Sequence, residues 1–223
     1  MSMVVPGVPV LYADEAMLVL DKPAGLLSVP GRGEDKQDCL STRVQAVFAD
    51  ARVVHRLDMA TSGLVLMARG LAAQRALSTA FEQRRVQKRY EARVHGHLRP
   101  DTRDVAPGDG WQTVSLPLAL DWPQRPRSKV DPAGKPSVTR WRALDYDAAS
   151  DTTRVALEPL TGRSHQLRVH LLALGHPIVG DALYGPEPNA AAAPSRLMLH
   201  AAELAFAHPA DGQPVRFVSP VPF

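Results

Sequence analysis

The stretch His55–Ala68 reads HRLDMATSGLVLMA, with Val53 and Val54 just before it. The unbroken apolar run after Gly63 is the pattern of a strand buried on both faces, and the charges fall where the apolar character is interrupted. His55, Arg56 and Asp58 are therefore expected in a loop between two buried strands. Loops held by rigid strands are where reactive groups concentrate. Arg56, two residues before Asp58, would favour the ionised carboxylate, which suits a nucleophile or a base. The competing reading is a structural Asp that caps the Thr61-Ser62-Gly63 turn.

Upstream, the apolar run Met17–Leu20 ends at DKPAG, where Pro23 and Gly25 signal a turn before LLSVPG, and GEDKQD reads as an exposed loop. Leu40, Val44, Val47 and Phe48 recur at helical spacing and predict a helix over 39–49. Downstream, residues 71–86 carry Leu77, Ala80 and Phe81 on one side of a second helix, and KRYEARVHG alternates like a strand. Seven prolines between residues 100 and 136 rule out a long helix there and favour short strands with turns. SVTRWRALDYD and TTRVALEPL read as a strand pair. TGRSHQLRVHLLALGHP then reads as a helix with Ser164 near its start and Gly175 just past its end. LMLHAAELAF and VRFVS close the chain as strands. NAAAAP, 189–194, is the one low-complexity patch.

Strands and helices interleave without a repeating βαβ unit, which predicts a mixed α+β fold around a largely antiparallel sheet. With 223 residues, 45% of them hydrophobic, the chain can bury a sizeable core. It is expected to be a single domain, 1–223, with a Pro-rich insertion or subdomain at about 99–137. The net charge is only +3, yet the arginines cluster, which points to a local anionic partner rather than a basic tail. A single cysteine, Cys39, rules out an intrachain disulfide and is expected to be semi-buried. No stretch reaches the roughly 20 apolar residues of a membrane span and the first residues lack a signal-peptide pattern, so a cytoplasmic location is expected.

On the third predicted helix, Arg163, Leu167, His170 and Leu174 share one stripe, while His165 and Arg168 lie off it. His165 and His170 point roughly 140° apart, which speaks against a shared metal. Tyr90 follows Arg84, Arg85, Lys88 and Arg89, and an aromatic beside cations can stack on an RNA base. DWPQRPRSK places Arg125, Arg127 and Lys129 in a Pro-rich loop suited to phosphate. A Tyr in a strand is core more often than not, and four cations at a helix end also complement its macrodipole, while the Pro-rich loop fits a solvated surface equally well. There is no phosphate-binding glycine loop, dinucleotide fingerprint, zinc spacing or serine elbow, so neither a cofactor nor a metal is expected.

Together, DKPAGLLSVPG, HRLDMATSGLVLMA, KRYEARV and TGRSHQLRVHLLALGHPIVGDALYG resemble the ordered motifs of the RluA family of RNA pseudouridine synthases, from about residue 11 to the C-terminus. Within that family the chain is similar to its short type. The first motif begins by residue 17, so no N-terminal S4 RNA-binding domain is expected. The resemblance implies Asp58 as nucleophile, Tyr90 stacking on the uracil and assisting proton removal at C5, and Arg163 pairing with Asp58. It also implies Leu167 walling the pocket and Arg56 entering the RNA where the target uridine leaves its stack. His55, Thr61 and His170 are expected on the substrate-binding side. RNA is the expected partner, from a large-subunit ribosomal RNA hairpin, a tRNA anticodon stem-loop or both, with no obligate protein partner and no membrane. Two other classes compete: a metal-dependent hydrolase using His55, Asp58 and a later His, and a non-catalytic RNA-binding assembly factor.

Overall fold

The computed structural model describes residues 4–100, 110–186 and 196–223. The expected low-complexity patch and Pro107 lie outside them. In chain order the elements are β1 (Val10–Ala13), β2 (Met17–Lys22), α1 (Leu40–Gln45), β3 (Ala51–Val53), β4 (Ser62–Arg69) and α2 (Gly70–Glu82). Then follow β5 (Gln87–His95), β6 (Gln112–Ser115), β7 (Leu118–Leu120), β8 (Ser128–Val130), β9 (Val138–Asp147) and β10 (Thr152–Pro159). The last are α3 (Gln166–Ala173), β11 (Leu199–Ala207) and β12 (Pro214–Val218). The described residues divide into two compact units, one comprising the chain up to Lys88 with His200–Pro222, the other Arg89–Leu199.

In the first unit β4 is the central strand. Seven consecutive residues from Ser62 are buried, as the apolar run requires. β2 pairs antiparallel along its length, from Met17↔Ala68 to Lys22↔Gly63. The other edge is shared. β3 covers one end, with Val53 opposite Met67, and β11 runs parallel at the other, with Ala201 opposite Gly63. Gly63 has φ +108°, and a Cβ there would lie 2.4 Å from the Ala201 carbonyl oxygen, so this crossing admits only glycine. Leu64, Leu66 and Ala68 project to one face and join Met17, Val19, Ala73, Leu77, Leu204 and Phe206 in a core under α2.

The predicted helix over 39–49 is shorter than expected. It ends at Gln45, and Phe48 stays buried because a tightened turn carries the chain on, its N–H bonding the Val44 carbonyl. Cys39 is not semi-buried but has no exposure, and its sulfur accepts the Thr42 N–H as the helix N-cap.

In the second unit β5, β10, β9 and β6 are antiparallel neighbours, with Tyr90 opposite Leu157. The Pro-rich middle forms short strands, as predicted, including the separate hairpin β7–β8. Both units are thus built on largely antiparallel sheet with few helices, an α+β architecture.

Candidate active site

Asp58 lies in the loop between β3 and β4, partly exposed, between buried Leu57 and exposed Met59. The turn after it is closed by main chain: the Thr61 N–H donates to the Asp58 carbonyl at 3.1 Å. The loop is held on both sides of Asp58. Before it, the Ser28 hydroxyl donates to the Leu57 carbonyl at 2.7 Å and receives the Leu57 N–H at 3.1 Å. After it, the Met59 carbonyl accepts the Gly25 N–H at 2.8 Å and the Lys22 ammonium at 3.1 Å. Lys22, with no solvent exposure, also donates to the carbonyls of Pro23 and Leu26. The segment DKPAGLLS is thus the clamp on the Asp58 loop.

His55 fills a gap in the sheet. The Leu66 N–H points to the edge that β3 and β11 leave uncovered, and His55 Nε2 accepts it at 2.8 Å. The ring stacks on Phe81 at 4.5 Å between centroids. Burial, reinforced by the nearby Lys88 cation, pushes the imidazole pKa down to about 3, so the ring is neutral. An Nε2 lone pair committed to a backbone amide is not offered to a metal or an RNA. Arg56, by contrast, is exposed, and Thr61 is buried under the turn.

Beyond the loop a buried chain of hydrogen bonds anchors β4. The Ser219 hydroxyl donates to Asp21 Oδ2 at 2.7 Å, and its oxygen lies 2.9 Å from His200 Nε2. That direction makes Nε2 the protonated nitrogen and leaves Nδ1 to accept from Ser62 at 2.8 Å. The start of β4 is thereby tied to the C-terminal segment.

In the second unit Tyr90 is half-buried on β5. Arg163 corrects the sequence reading: α3 starts at Gln166, so Arg163 precedes the helix and does not share its stripe. The cause is His165, whose left-handed backbone (φ 55°) cannot continue a helix. Arg163 is exposed, and its turn is fixed by buried Gln166, whose Oε1 accepts the Arg163 N–H at 3.0 Å and the Thr161 hydroxyl at 2.7 Å. Gln166 also donates to the Val138 carbonyl and to Thr139.

Nor does α3 bury a single stripe: every residue from Gln166 to Leu171 is buried, its polar ones satisfied in place. Arg168, expected off the buried side, forms a bidentate pair with Asp181 at 2.6 and 2.8 Å under the Tyr184 ring. The Tyr184 hydroxyl lies 2.7 Å from His165 Nδ1. His170, expected toward substrate, has no exposure; its ring nitrogens meet Thr139 Oγ1 at 2.9 Å and the Leu116 carbonyl at 3.1 Å. Its geometry is that of a packing residue. Leu167 is buried beside it. Of the basic cluster near Tyr90, Arg84 and Arg85 are exposed, while Arg89 turns to Glu158 at 2.9 Å.

A family model described as RNA pseudouridylate synthase matches residues 16–173, a span that contains Asp58, Tyr90 and Arg163. The chain belongs to that family. It is 49% identical, over 98% of its length and 95% of the relative's, to the dual-specificity RNA pseudouridine synthase RluA of Escherichia coli O6:H1. The corresponding Pasteurella multocida enzyme is 44% identical over the same shares. Among solved structures, human RNA pseudouridylate synthase domain containing 1 superposes with a TM-score of 0.78 at 31% identity, covering 99% of this chain and 86% of that one. The chain is an RNA pseudouridine synthase, an isomerase. Among the described residues of the synthase no three His, Cys, Asp or Glu side chains are grouped to hold a metal ion. No helix among them is long and apolar enough to cross a membrane.

Sequence reasoning missed Lys22, Ser28, Gln166, Asp181, Tyr184, His200 and Ser219 as parts of the support. All but the last two stand in the family motifs, and for Lys22 a signal existed: a lysine before Pro-Ala-Gly beside an apolar run has to place its charge on something. His200 and Ser219 carry no comparable local mark.

Proposed function

We propose that the synthase converts uridine to pseudouridine at sites in structured RNA with Asp58 as its nucleophile, and that its substrates are a large-subunit ribosomal RNA hairpin and a tRNA anticodon stem-loop. In the reaction the N1–C1′ bond breaks, C1′ joins C5 of the same base, the C5 proton leaves and N1 is protonated. Atoms and electrons balance within one nucleotide, so no donor group and no redox equivalent is required. Asp58 acts by attack at C6, by attack at C1′, or as a base on a glycal route. Tyr90 stacks on the uracil and assists removal of the C5 proton, Arg163 is the cationic group of the reaction, and Leu167 contributes an apolar wall. Arg56 enters the RNA stack as the uridine is extruded, because the reacting atoms are inaccessible inside a helix. His55 and Thr61 act behind these residues, holding the backbone around the Asp58 loop.

The observation that supports this reading best is the clamp on both neighbours of Asp58. A partly exposed carboxylate on a loop fixed by buried Ser28 and Lys22 is held ready for chemistry, whereas a surface Asp needs no such support. The identity to enzymes called dual-specificity supports the pair of substrates. The test is Asp58→Asn, which keeps the volume and removes the charge. Tritium release from C5-labelled uridine should vanish while the thermal melt and RNA affinity persist. Turnover within about tenfold of wild type, a barrier change of only ~1.4 kcal/mol, would remove Asp58 from the nucleophile's role.

A further inference from the structure

Of the three tryptophans in the chain, two have evident tasks. Trp141 is 5% exposed in the core, and Trp111 lies under the guanidiniums of Arg89, Arg140 and Arg142, at 5.7, 5.1 and 5.2 Å. Trp122, between β7 and β8, is different: it is 65% exposed, with the Arg125 guanidinium 4.6 Å from its ring centroid. An exposed indole offers a large flat apolar face on which a planar group can stack.

The loop that carries it is ordered by its own backbone. The Asp121 N–H bonds the Arg127 carbonyl at 2.8 Å, Gln124 N–H bonds Asp121 at 3.1 Å, and Arg127 N–H bonds Gln124 at 3.0 Å. The Arg127 side chain donates to Gln124 Oε1 at 3.0 Å. Where the loop enters β8 the Ser128 N–H donates to the Tyr184 hydroxyl at 2.7 Å. A ring presented on so fixed a loop loses little freedom on binding. Arg125, Arg127 and Lys129 within the same few residues supply cations for the phosphates that accompany any exposed base.

We infer that Trp122, with Arg125 beside it, is a stacking subsite for an unpaired nucleobase of the RNA substrate, distinct from the target uridine. The inference rests on the RNA substrate of the proposed function and adds a second point of contact, one that reads a loop or bulge rather than a duplex. Aromatic stacking accepts any base, because every base has a π-face, so the subsite selects for an unstacked nucleotide at the right distance rather than for its identity.

The experiment compares wild type, Trp122→Ala and Trp122→Phe on a tRNA anticodon stem-loop, by anisotropy of labelled RNA and by steady-state pseudouridine formation. Loss of one base–aromatic stack weakens binding by about tenfold to a hundredfold, so Trp122→Ala should raise Kd and KM by that factor, and the loss should appear there rather than in kcat. Trp122→Phe should recover most of it. Abasic residues placed one at a time through the RNA loop should reveal one position that weakens wild type and leaves Trp122→Ala unaffected. Unchanged affinity in Trp122→Ala, or abasic positions that all affect both proteins equally, would overturn the subsite. Because anisotropy needs no turnover, a failure of the Asp58 mechanism is read separately from a failure here. A thermal melt equal to wild type shows that the alanine variant is folded.

Discussion

The ammonium of Lys22 donates to the carbonyl of Met59 at 3.1 Å, across 37 positions of sequence, from a site with no solvent exposure. The residue after the proposed nucleophile is thus tied to the end of β2 by a buried cation, and the same cation gathers the carbonyls of Pro23 and Leu26. Removing it takes the donor from the buried Leu26 carbonyl and the partly buried Pro23 carbonyl, and leaves Met59 only its bond from the Gly25 N–H.

Lys22→Met keeps the length of the side chain and deletes those bonds. A hydrogen bond to a charged group contributes about 1.5–3 kcal/mol, and the buried Leu26 carbonyl left behind adds its desolvation penalty, so a loss of about 2 kcal/mol is expected. Urea unfolding should show a lower midpoint at unchanged slope. Turnover should fall further than stability explains, since Met59 carries one end of the Asp58 loop. An unchanged midpoint would mean that the buried ammonium is not stabilising.

Ser28→Ala removes the hydroxyl that serves both polar groups of Leu57. Two buried backbone groups lose their partner, at about 1–3 kcal/mol for each group left unsatisfied. The expected signature is a lower kcat on a protein still folded at 25 °C, with Ser28→Thr closer to wild type than Ser28→Ala. Equal kcat in all three would show that the loop keeps its position without the clamp.

Stability should depend on pH through His55. The unfolded imidazole titrates near the ordinary value of about 6.5, whereas in the folded protein burial and the Lys88 cation push its pKa down to about 3. Above about pH 6.5 the ring is neutral in both states and its contribution is fully present. Below that, the unfolded chain takes up a proton that the folded protein refuses until near pH 3, so stability falls as pH drops, by at most about 1.4 kcal/mol per unit. Between pH 6.5 and 5, wild type should lose about 1–2 kcal/mol more than His55→Gln in chemical denaturation. Parallel curves would mean that the ring is protonated in the fold.

Arg56 is exposed two residues before Asp58, and its proposed contribution is made with RNA bound. Arg56→Ala should lower activity on a folded stem-loop more than on an unstructured oligomer, because holding the space of a flipped nucleotide matters only where a stack exists. Equal losses on both would contradict that role. Wild-type affinity should also fall steeply between about 50 and 200 mM salt as phosphate contacts release counterions.

Much of this was legible along the chain. The apolar run Leu64–Ala68, the alternation of KRYEARV, the 138–159 strand pair and the closing strands each declare themselves within about ten residues, because burial on a strand repeats every two positions or continuously. The four motifs in order likewise carried the family, and from it comes the proposal of Asp58, Tyr90 and Arg163. Those features are local, and local physics is what a sequence pattern records.

What only the tertiary structure decided is where polar groups find partners far away. His200 meets Ser62 across 138 positions and Lys22 meets Met59 across 37, and no periodicity encodes such a meeting. The same cause explains the errors. A helix stripe assigned Arg163 to α3, but one left-handed residue, His165, starts the helix three positions later and leaves Arg163 on the turn. For His170 the spacing left packing and a substrate contact both open, and only the fold shows Thr139 and the Leu116 carbonyl meeting both of its nitrogens. A buried polar side chain takes its role from whichever donor or acceptor the rest of the chain brings within about 3 Å, and that is settled only when the chain has closed.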